Sequence, residues 1–359
     1  MSKQKIDAIV DLQFGSTGKG LIAGYLSERR QYDVVVSANM PNAGHTYVEK
    51  DGTARIHKVL PSGVYSPSLN IIAIGPGAVF SIERLHQEVR SLRQAGIMAT
   101  VLIHPMAAIL REEHKTHEQA TLSGISSTMQ GSMAAVVEKM QRQKISNIAR
   151  DNELAIFGDP MAELGIRVAT VPLWMETMFN AKYILCEGSQ GYSLGINAGF
   201  YPYCTSRDCT INRLLADAGL APTGKVNVIG TARVHPIRVG NFEGNSSGPC
   251  YPDQVEMTWE EVGQKPELTT VTGRQRRVFS FSRQQIREAM MANNVDEVFL
   301  NFCNYAPRAA IQIAKQIGVI WRNLRQTSSE HPEYFSDDAT KVVKYMGWGP
   351  SGADVMEVG

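Results

Sequence analysis

Short apolar runs alternate along this chain with stretches whose apolar positions recur at helical spacing. The runs Ile6–Leu12, Asp33–Ala38, Asn70–Ile74, Thr100–Ile103, Tyr183–Cys186, Val226–Ala232 and Glu297–Phe302 read as strands. Helical patterns cover Leu21–Arg30, Ile82–Ala95, Ser132–Gln143, Thr210–Ala218, Arg283–Asn293 and Ala309–Ile317. Strand and helix in alternation predict an α/β fold with a largely parallel central sheet, flanking helices and appended loops. Gly240–Pro252 and Glu330–Asp338 are polar, Gly/Pro/Ser-rich loops. No repeat or low-complexity linker divides the chain, so residues 1–359 are expected to form a single domain.

Composition narrows the field. With 359 residues, 43% hydrophobic and 20% charged at a net charge of +1, the chain can bury a large core. That balance gives no reason to expect nucleic-acid or membrane binding. No apolar run reaches the ~20 residues of a membrane span. Met1–Lys5 leads into a strand without a signal-peptide core, so a cytoplasmic protein is expected. Cys186, Cys204, Cys209, Cys250 and Cys303 are odd in number and lack paired spacing, and read as reduced thiols. His114 and His117, at i, i+3 among charged neighbours, read as a solvated helix face rather than a metal site.

The candidate chemistry begins at Gln13-Phe14-Gly15-Ser16-Thr17-Gly18-Lys19-Gly20, between a strand and a helix. Such a turn offers backbone N–H groups and a helix N-terminus to a phosphate, with Lys19 beside them. It is not a Walker A loop, since only Ser16 and Thr17 separate Gly15 from Gly18. A tight structural turn with a solvated lysine is the plainer alternative. Asn42-Ala43-Gly44-His45-Thr46 follows a strand, at the carboxyl end where α/β proteins bind ligands. Arg274-Gln275-Arg276-Arg277 is the local basic cluster, suited to carboxylate or phosphate or else a solvated turn.

These segments, in this order, resemble the adenylosuccinate synthetase family, which joins aspartate to a 6-oxopurine nucleotide at the expense of GTP. Gln13–Gly20 is similar to its Gln-Trp-Gly-Asp-Glu-Gly-Lys-Gly signature, and Asn42–Thr46 to its Asn-Ala-Gly-His-Thr. Glu187-Gly188-Ser189-Gln190-Gly191 and Tyr201-Pro202-Tyr203-Cys204-Thr205-Ser206 resemble Glu-Gly-Ala-Gln-Gly and Tyr-Pro-Tyr-Val-Thr-Ser. Glu267–Arg277 resembles the aspartate loop and its arginine run, and Gly347–Asp354 the Ser-Thr-Gly-Pro segment.

The resemblance implies catalytic roles for His45, Ser16, Lys19 and Gln190. It implies that the triphosphate donor meets Ser16, Thr17, Gly18, Lys19, Gly20, His45, Thr46, Arg276, Asn301, Asn304, Gly347, Trp348 and Gly349. The monophosphate would meet Ser16, Asn42, Ser127, Thr128, Arg142, Gln190, Thr205 and Arg274. Aspartate would meet Val271, Thr272 and Arg274. Mg²⁺ would be held by Ser16 and the Gly44 carbonyl. Arg142 falls on an arginine that reaches the neighbouring subunit's monophosphate, which implies a homodimer.

Two departures bear on which branch this is. Ser16 replaces the signature's catalytic aspartate, and an ordinary hydroxyl is no comparable base. A guanine substrate adds a 2-amino group that an aspartate would crowd, and this change resembles a phage branch of the family acting on dGMP. Leu300-Asn301-Phe302-Cys303-Asn304 stands where the family has Thr-Lys-Leu-Asp, an aspartate that reads guanine. Amides there favour ATP or dATP as donor. The expectation is ligation of L-aspartate to dGMP through a 6-phosphoryl intermediate, in the host cytosol if the chain is a phage protein. An ordinary synthetase acting on IMP, a non-catalytic nucleotide-binding protein and a P-loop kinase are the alternatives.

Overall fold

The computed structural model describes residues 4–157, 164–222, 224–269, 273–326 and 342–358. A ten-stranded sheet runs through them in the order Val355–Glu357, Val343–Gly347, Glu297–Asn301, Lys225–Arg233, Lys5–Asp11, Tyr183–Glu187, Val34–Ser37, Ile71–Ile74, Thr100–Ile103, Ile166–Val168. Every neighbouring pair is parallel except the last-formed hairpin, where Val355–Glu357 turns back on Val343–Gly347. The predicted parallel α/β sheet is present.

Period-two burial explains the layering. Ile6, Ala8, Val10, Val34 and Val36 pack into the core on one face, and Ile9 and Val35 into the core on the other. Leu21, Ile22 and Leu26 of the helix Lys19–Arg29 cover the second face. Ile286, Ala289 and Met290 of Arg283–Asn293 cover the first, with Ile313 and Ile317 of Pro307–Gln326.

All seven expected strands lie in this sheet, with ends shifted by a residue or two. Missing from the expectation are its edges: Ile166–Val168, Val343–Gly347 and Val355–Glu357, too short or too mixed in polarity to register. The helix Val171–Asn180 was also not expected, whereas Glu112–Thr121 is the helix read from the spacing of His114 and His117. Ser132–Met140 ends earlier than its apolar pattern, because Arg142 takes a left-handed φ of 55°. The last helix extends instead to Gln326. His114 differs from its reading as solvated. It is buried, with Nε2 2.6 Å from Glu138 and Nδ1 accepting from the Arg111 amide. The five cysteines are free. The loop Glu330–Asp338 lies outside the described residues. Among the described residues no helix is long and apolar enough to cross a membrane.

Candidate active site

Several strands of the sheet end on a polar residue or glycine at the same edge: Asp11, Ser37, Glu187, Arg233, Asn301 and Gly347. A parallel sheet gathers its carboxyl ends, and there loops from distant parts of the chain can meet.

Asp11 organises the loop Gln13–Gly20. Its Oδ1 accepts from the amides of Gln13 (2.9 Å) and Gly15 (3.1 Å), and its Oδ2 from the Thr17 hydroxyl and Lys19 Nζ (2.9 Å). The loop turns through positive φ at Gly15 (90°), Ser16 (57°) and Gly18 (95°). A side chain on Gly18 would strike Asn301, so glycine is required there for space as well as angle. Gly18 ends the loop as the helix N-cap without a side-chain capping bond, and no acidic residue sits in the first turn. Among the described residues no side chain caps the first-turn amides, which suits them to a phosphate. Lys19 corrects the solvated-lysine alternative: it is 4% exposed, between Asp11 and the Gln190 carbonyl (2.7 Å).

His45 opens a hairpin strand, His45–Val48, paired to Ala54–His57 with His45 opposite His57. Its Nδ1 lies 2.6 Å from Glu187 Oε1, and Glu187 Oε2 accepts from the Ser62 amide (2.5 Å). Burial alone would raise the Glu187 carboxyl, but the His45 ring and these hydrogen bonds outweigh it and hold the group below the usual range. With Nδ1 committed to Glu187, Nε2 is left for a substrate. Behind it His57 is fully buried, and burial pushes its ring toward the neutral form. Gln190, itself at φ 56°, donates its amide to Asn42 Oδ1 (2.7 Å), so the expected purine-edge residue stands beside the Asn42–Thr46 segment.

The opposite wall carries the arginines. Arg276 donates to Ser16 Oγ (2.9 Å), and burial lowers its guanidinium to about 10, opposed by Glu267 and aided by Arg233. Arg274 donates to the carbonyls of Ser126 (3.1 Å) and Ser127 (3.3 Å) and stacks on Phe242 (3.9 Å). That joins the Ser127–Thr128 segment to the arginine loop. The helix after it is capped from a neighbouring helix: Glu118 accepts from the amides of Gly131 (2.8 Å) and Met133 (2.6 Å). Thr205 is half-buried, its amide bonded to the Leu194 carbonyl (2.8 Å). Val271 and Thr272 lie outside the described residues.

At the expected donor-base wall the two asparagines part company. Asn301 is buried, its Oδ1 accepting from the Phe302 amide (2.8 Å) and its Nδ2 near the Thr17 carbonyl (3.4 Å). It is wedged between Gly18 and Gly347, where a Cβ on either would collide with it. Its amide therefore braces the loop, and Asn304 is the exposed one. Trp348 packs half-buried on the core beside Gly347, its indole N–H buried without a hydrogen-bond partner among the described residues. Gly349 packs against Asp354. Thr46 is exposed and Gly20 buried against His45 and Ser62. Arg142 is exposed beyond the helix end, next to the exposed apolar residues Val137, Met140 and Ile145.

Asp11, Glu187, Arg233 and Glu267 were not singled out as site residues from sequence. Three of them end a strand, and a charged residue closing a buried strand was the available signal. Among the described residues no group of three or more His, Cys, Asp or Glu side chains is placed to hold a metal.

A sequence profile described as adenylosuccinate synthetase matches residues 8–156 and 148–349. The N6-succino-2-amino-2'-deoxyadenylate synthase of Vibrio phage phiVC8 is 49% identical over 355 residues, 98% of each chain. The structure of cyanophage S-2L succinoaminodeoxyadenylate synthetase, bound to dGMP and dATP as an energy donor, superposes with a TM-score of 0.86 at 39% identity. It covers 99% of this chain and 95% of that one. A fully ligated adenylosuccinate synthetase from Plasmodium falciparum shares the fold at a TM-score of 0.74 and 19% identity, over 98% and 99% of the chains.

Proposed function

The chain belongs to the adenylosuccinate synthetase family, and from that premise we propose that it ligates L-aspartate to dGMP, giving 2-amino-2'-deoxy-N6-succinyladenylate with ADP (or dADP) and phosphate. One observation carries the choice of dGMP over IMP. Ser16, where the family signature has its aspartate, is exposed to the site, with its hydroxyl against Arg276 and its carbonyl against Arg233. A small residue held between two guanidiniums, its hydroxyl on one of them, leaves room for a guanine 2-amino group and cannot act as the missing base. The names and ligands of the phage relatives point the same way.

The chemistry runs in two steps. The donor's γ-phosphoryl group passes to O6 of dGMP, which makes that oxygen a leaving group. The aspartate amine then attacks C6 and expels phosphate. The uncapped amides of the helix Lys19–Arg29, Lys19 and His45 stabilise the charge that develops on the transferring group. Gln190, steadied by Asn42, holds the purine edge. Arg274, with Val271 and Thr272, takes the aspartate carboxylate, and Ser127, Thr128 and Thr205 the monophosphate. The donor is ATP or dATP, with Asn304 and Trp348 at its base.

The donor set fits Mg²⁺, which keeps few protein oxygens and several phosphate oxygens. Gly44, partly exposed just before His45, would offer its carbonyl. Ser16 is the poorer ligand, since both its oxygens already face guanidinium groups. When bound, the ion supplies positive charge to the phosphate oxygens. The protein acts as a homodimer, with the Arg142 surface meeting a second copy so that this arginine reaches the partner's monophosphate.

The test is phosphate release with ATP, Mg²⁺ and aspartate, comparing dGMP, GMP and IMP. Turnover on dGMP with little on IMP is expected. Turnover chiefly on IMP would return the chain to ordinary adenylosuccinate synthesis, and release on none would leave a nucleotide-binding protein.

A further inference from the structure

Arg233 is a fully buried guanidinium at the carboxyl end of the strand Lys225–Arg233, where an apolar side chain would have packed without desolvating a charge. Its surroundings account for it. Nη2 donates to Glu267 Oε1 (2.5 Å) and Nη1 to Glu267 Oε2 (3.2 Å), a two-pronged grip that a lysine lacks. Nη1 also donates to the Ser16 carbonyl (3.3 Å). The guanidinium stacks on Phe302 (3.8 Å), and Tyr305 donates its hydroxyl to Glu267 Oε1 (3.0 Å). Backbone bonds tie Arg233 to the phosphate loop a second time, through the Gln13 side chain (2.9 and 3.1 Å).

These contacts close a ring. Arg233 grips the Glu267 carboxylate, and the Glu267 carbonyl accepts from the Arg276 amide (2.8 Å) across the base of the arginine loop, beside the Leu268–Gln275 bridge. The Arg276 guanidinium donates to Ser16 Oγ (2.9 Å), and the Ser16 carbonyl accepts from Arg233. Glu267 is held below the usual carboxylate range because Arg233, with Tyr305 and Arg276, outweighs the effect of its burial. Ser16 is a non-glycine residue at φ 57°, a conformation that needs its surroundings to fix it. Two guanidiniums do so, one on each of its oxygens.

We propose that Arg233 and Glu267 are positioning residues that lock the arginine loop to the phosphate loop, so that Ser16, Arg276 and the aspartate-binding side of the site are set as one unit. The Asn42–Gln190 wall, which holds the purine edge, lies outside the ring. Disturbing the ring therefore weakens aspartate use and the chemical step more than dGMP binding, which that wall continues to support. This inference rests on the ligase reading above.

The experiment uses the full chain carrying Arg233→Lys, Glu267→Gln or Tyr305→Phe. It measures kcat, KM for aspartate, KM for dGMP and amide exchange in residues 264–269 and 273–276. For the first two variants, kcat is expected to fall and KM for aspartate to rise by about tenfold or more, with KM for dGMP within about threefold. Exchange in those residues should quicken without dGMP or aspartate present. Tyr305→Phe removes one hydrogen bond and should shift the same quantities in the same direction by about two- to fivefold, which keeps the test alive if Arg233→Lys does not fold. The double variant Arg233→Lys with Arg276→Ala should lose less than the product of the single losses, because both act through Ser16. Unchanged KM for aspartate, equal losses in both KM values, or multiplicative single effects would overturn the proposal. An unaltered protein that releases no aspartate-dependent phosphate would instead overturn the ligase reading, and the exchange measurement would still judge the ring.

Discussion

Replacing Glu187 by Gln isolates the carboxylate that holds His45. The change keeps size and removes the charge. In the native site one carboxylate oxygen lies 2.6 Å from His45 Nδ1 and the other accepts from the Ser62 amide at 2.5 Å. An amide has only one oxygen, so its NH₂ must face one of the two donors. If the oxygen stays on the Ser62 amide, His45 Nδ1 meets a donor, so the ring must turn or move its proton to Nε2, and in both cases it loses the carboxylate that held it. A hydrogen bond to a charged group contributes about 1.5–3 kcal/mol, which corresponds to about 10- to 150-fold in kcat if it acts fully in the transition state. If the oxygen turns to His45, the Ser62 amide is left unpaired in a closed interior, and stability falls by about 1–3 kcal/mol with a smaller loss in rate. The assay is steady-state phosphate release alongside urea unfolding. The expected result is a kcat loss in that range with KM for dGMP within about twofold, or a stability loss with kcat partly kept. A variant with native kcat and native stability would refute the reasoning, since either His45 loses its carboxylate partner or the Ser62 amide loses its acceptor.

Ser16→Asp should move the preference from dGMP toward IMP, read as the ratio of kcat/KM values for the two nucleotides, because the longer carboxylate crowds a 2-amino group and restores a base. Asp11→Asn leaves Lys19, at 4% exposure, without its counterion; removing one partner of a buried pair costs about 3–5 kcal/mol, measurable as a lower urea midpoint. His104, packed edge-on against Trp174 with its Nδ1 accepting from the Met106 amide, is pushed down from 6.5 to about 4, first by burial and then by Lys139. A depressed histidine favours the neutral folded form, so its contribution is intact above pH 6.5 and is lost as the pH falls toward about 4. The urea midpoint of the native protein should therefore drop more steeply across that window than that of His104→Gln.

What the sequence made legible was local. Gly15, Ser16 and Gly18 sit within one turn, so their phosphate-loop character shows in the order of residues. His45 stood out by following a strand. Their partners did not, because Glu187 reaches His45 and Arg233 reaches Ser16 only once the parallel sheet has brought the carboxyl ends of its strands together. Asn301 shows the same limit from the other side. Its residue type suits an adenine edge, yet the close approach of Gly18 and Gly347 turns its amide inward to the loop. His114 looked solvated among charged neighbours, and burial came from Glu138 on another helix. Sheet edges were missed because strands as short as Ile166–Val168 carry too little periodicity to register.

In the proposed reaction aspartate displaces O6 of dGMP after that oxygen has been phosphorylated. Its most direct test supplies dGMP carrying heavy oxygen at the 6 position, with aspartate, ATP and Mg²⁺, and follows nucleotide and phosphate by mass spectrometry. The expected products are a succinyl nucleotide without the label and released phosphate that carries it. Label retained on the nucleotide, with no succinyl product, would contradict that reaction.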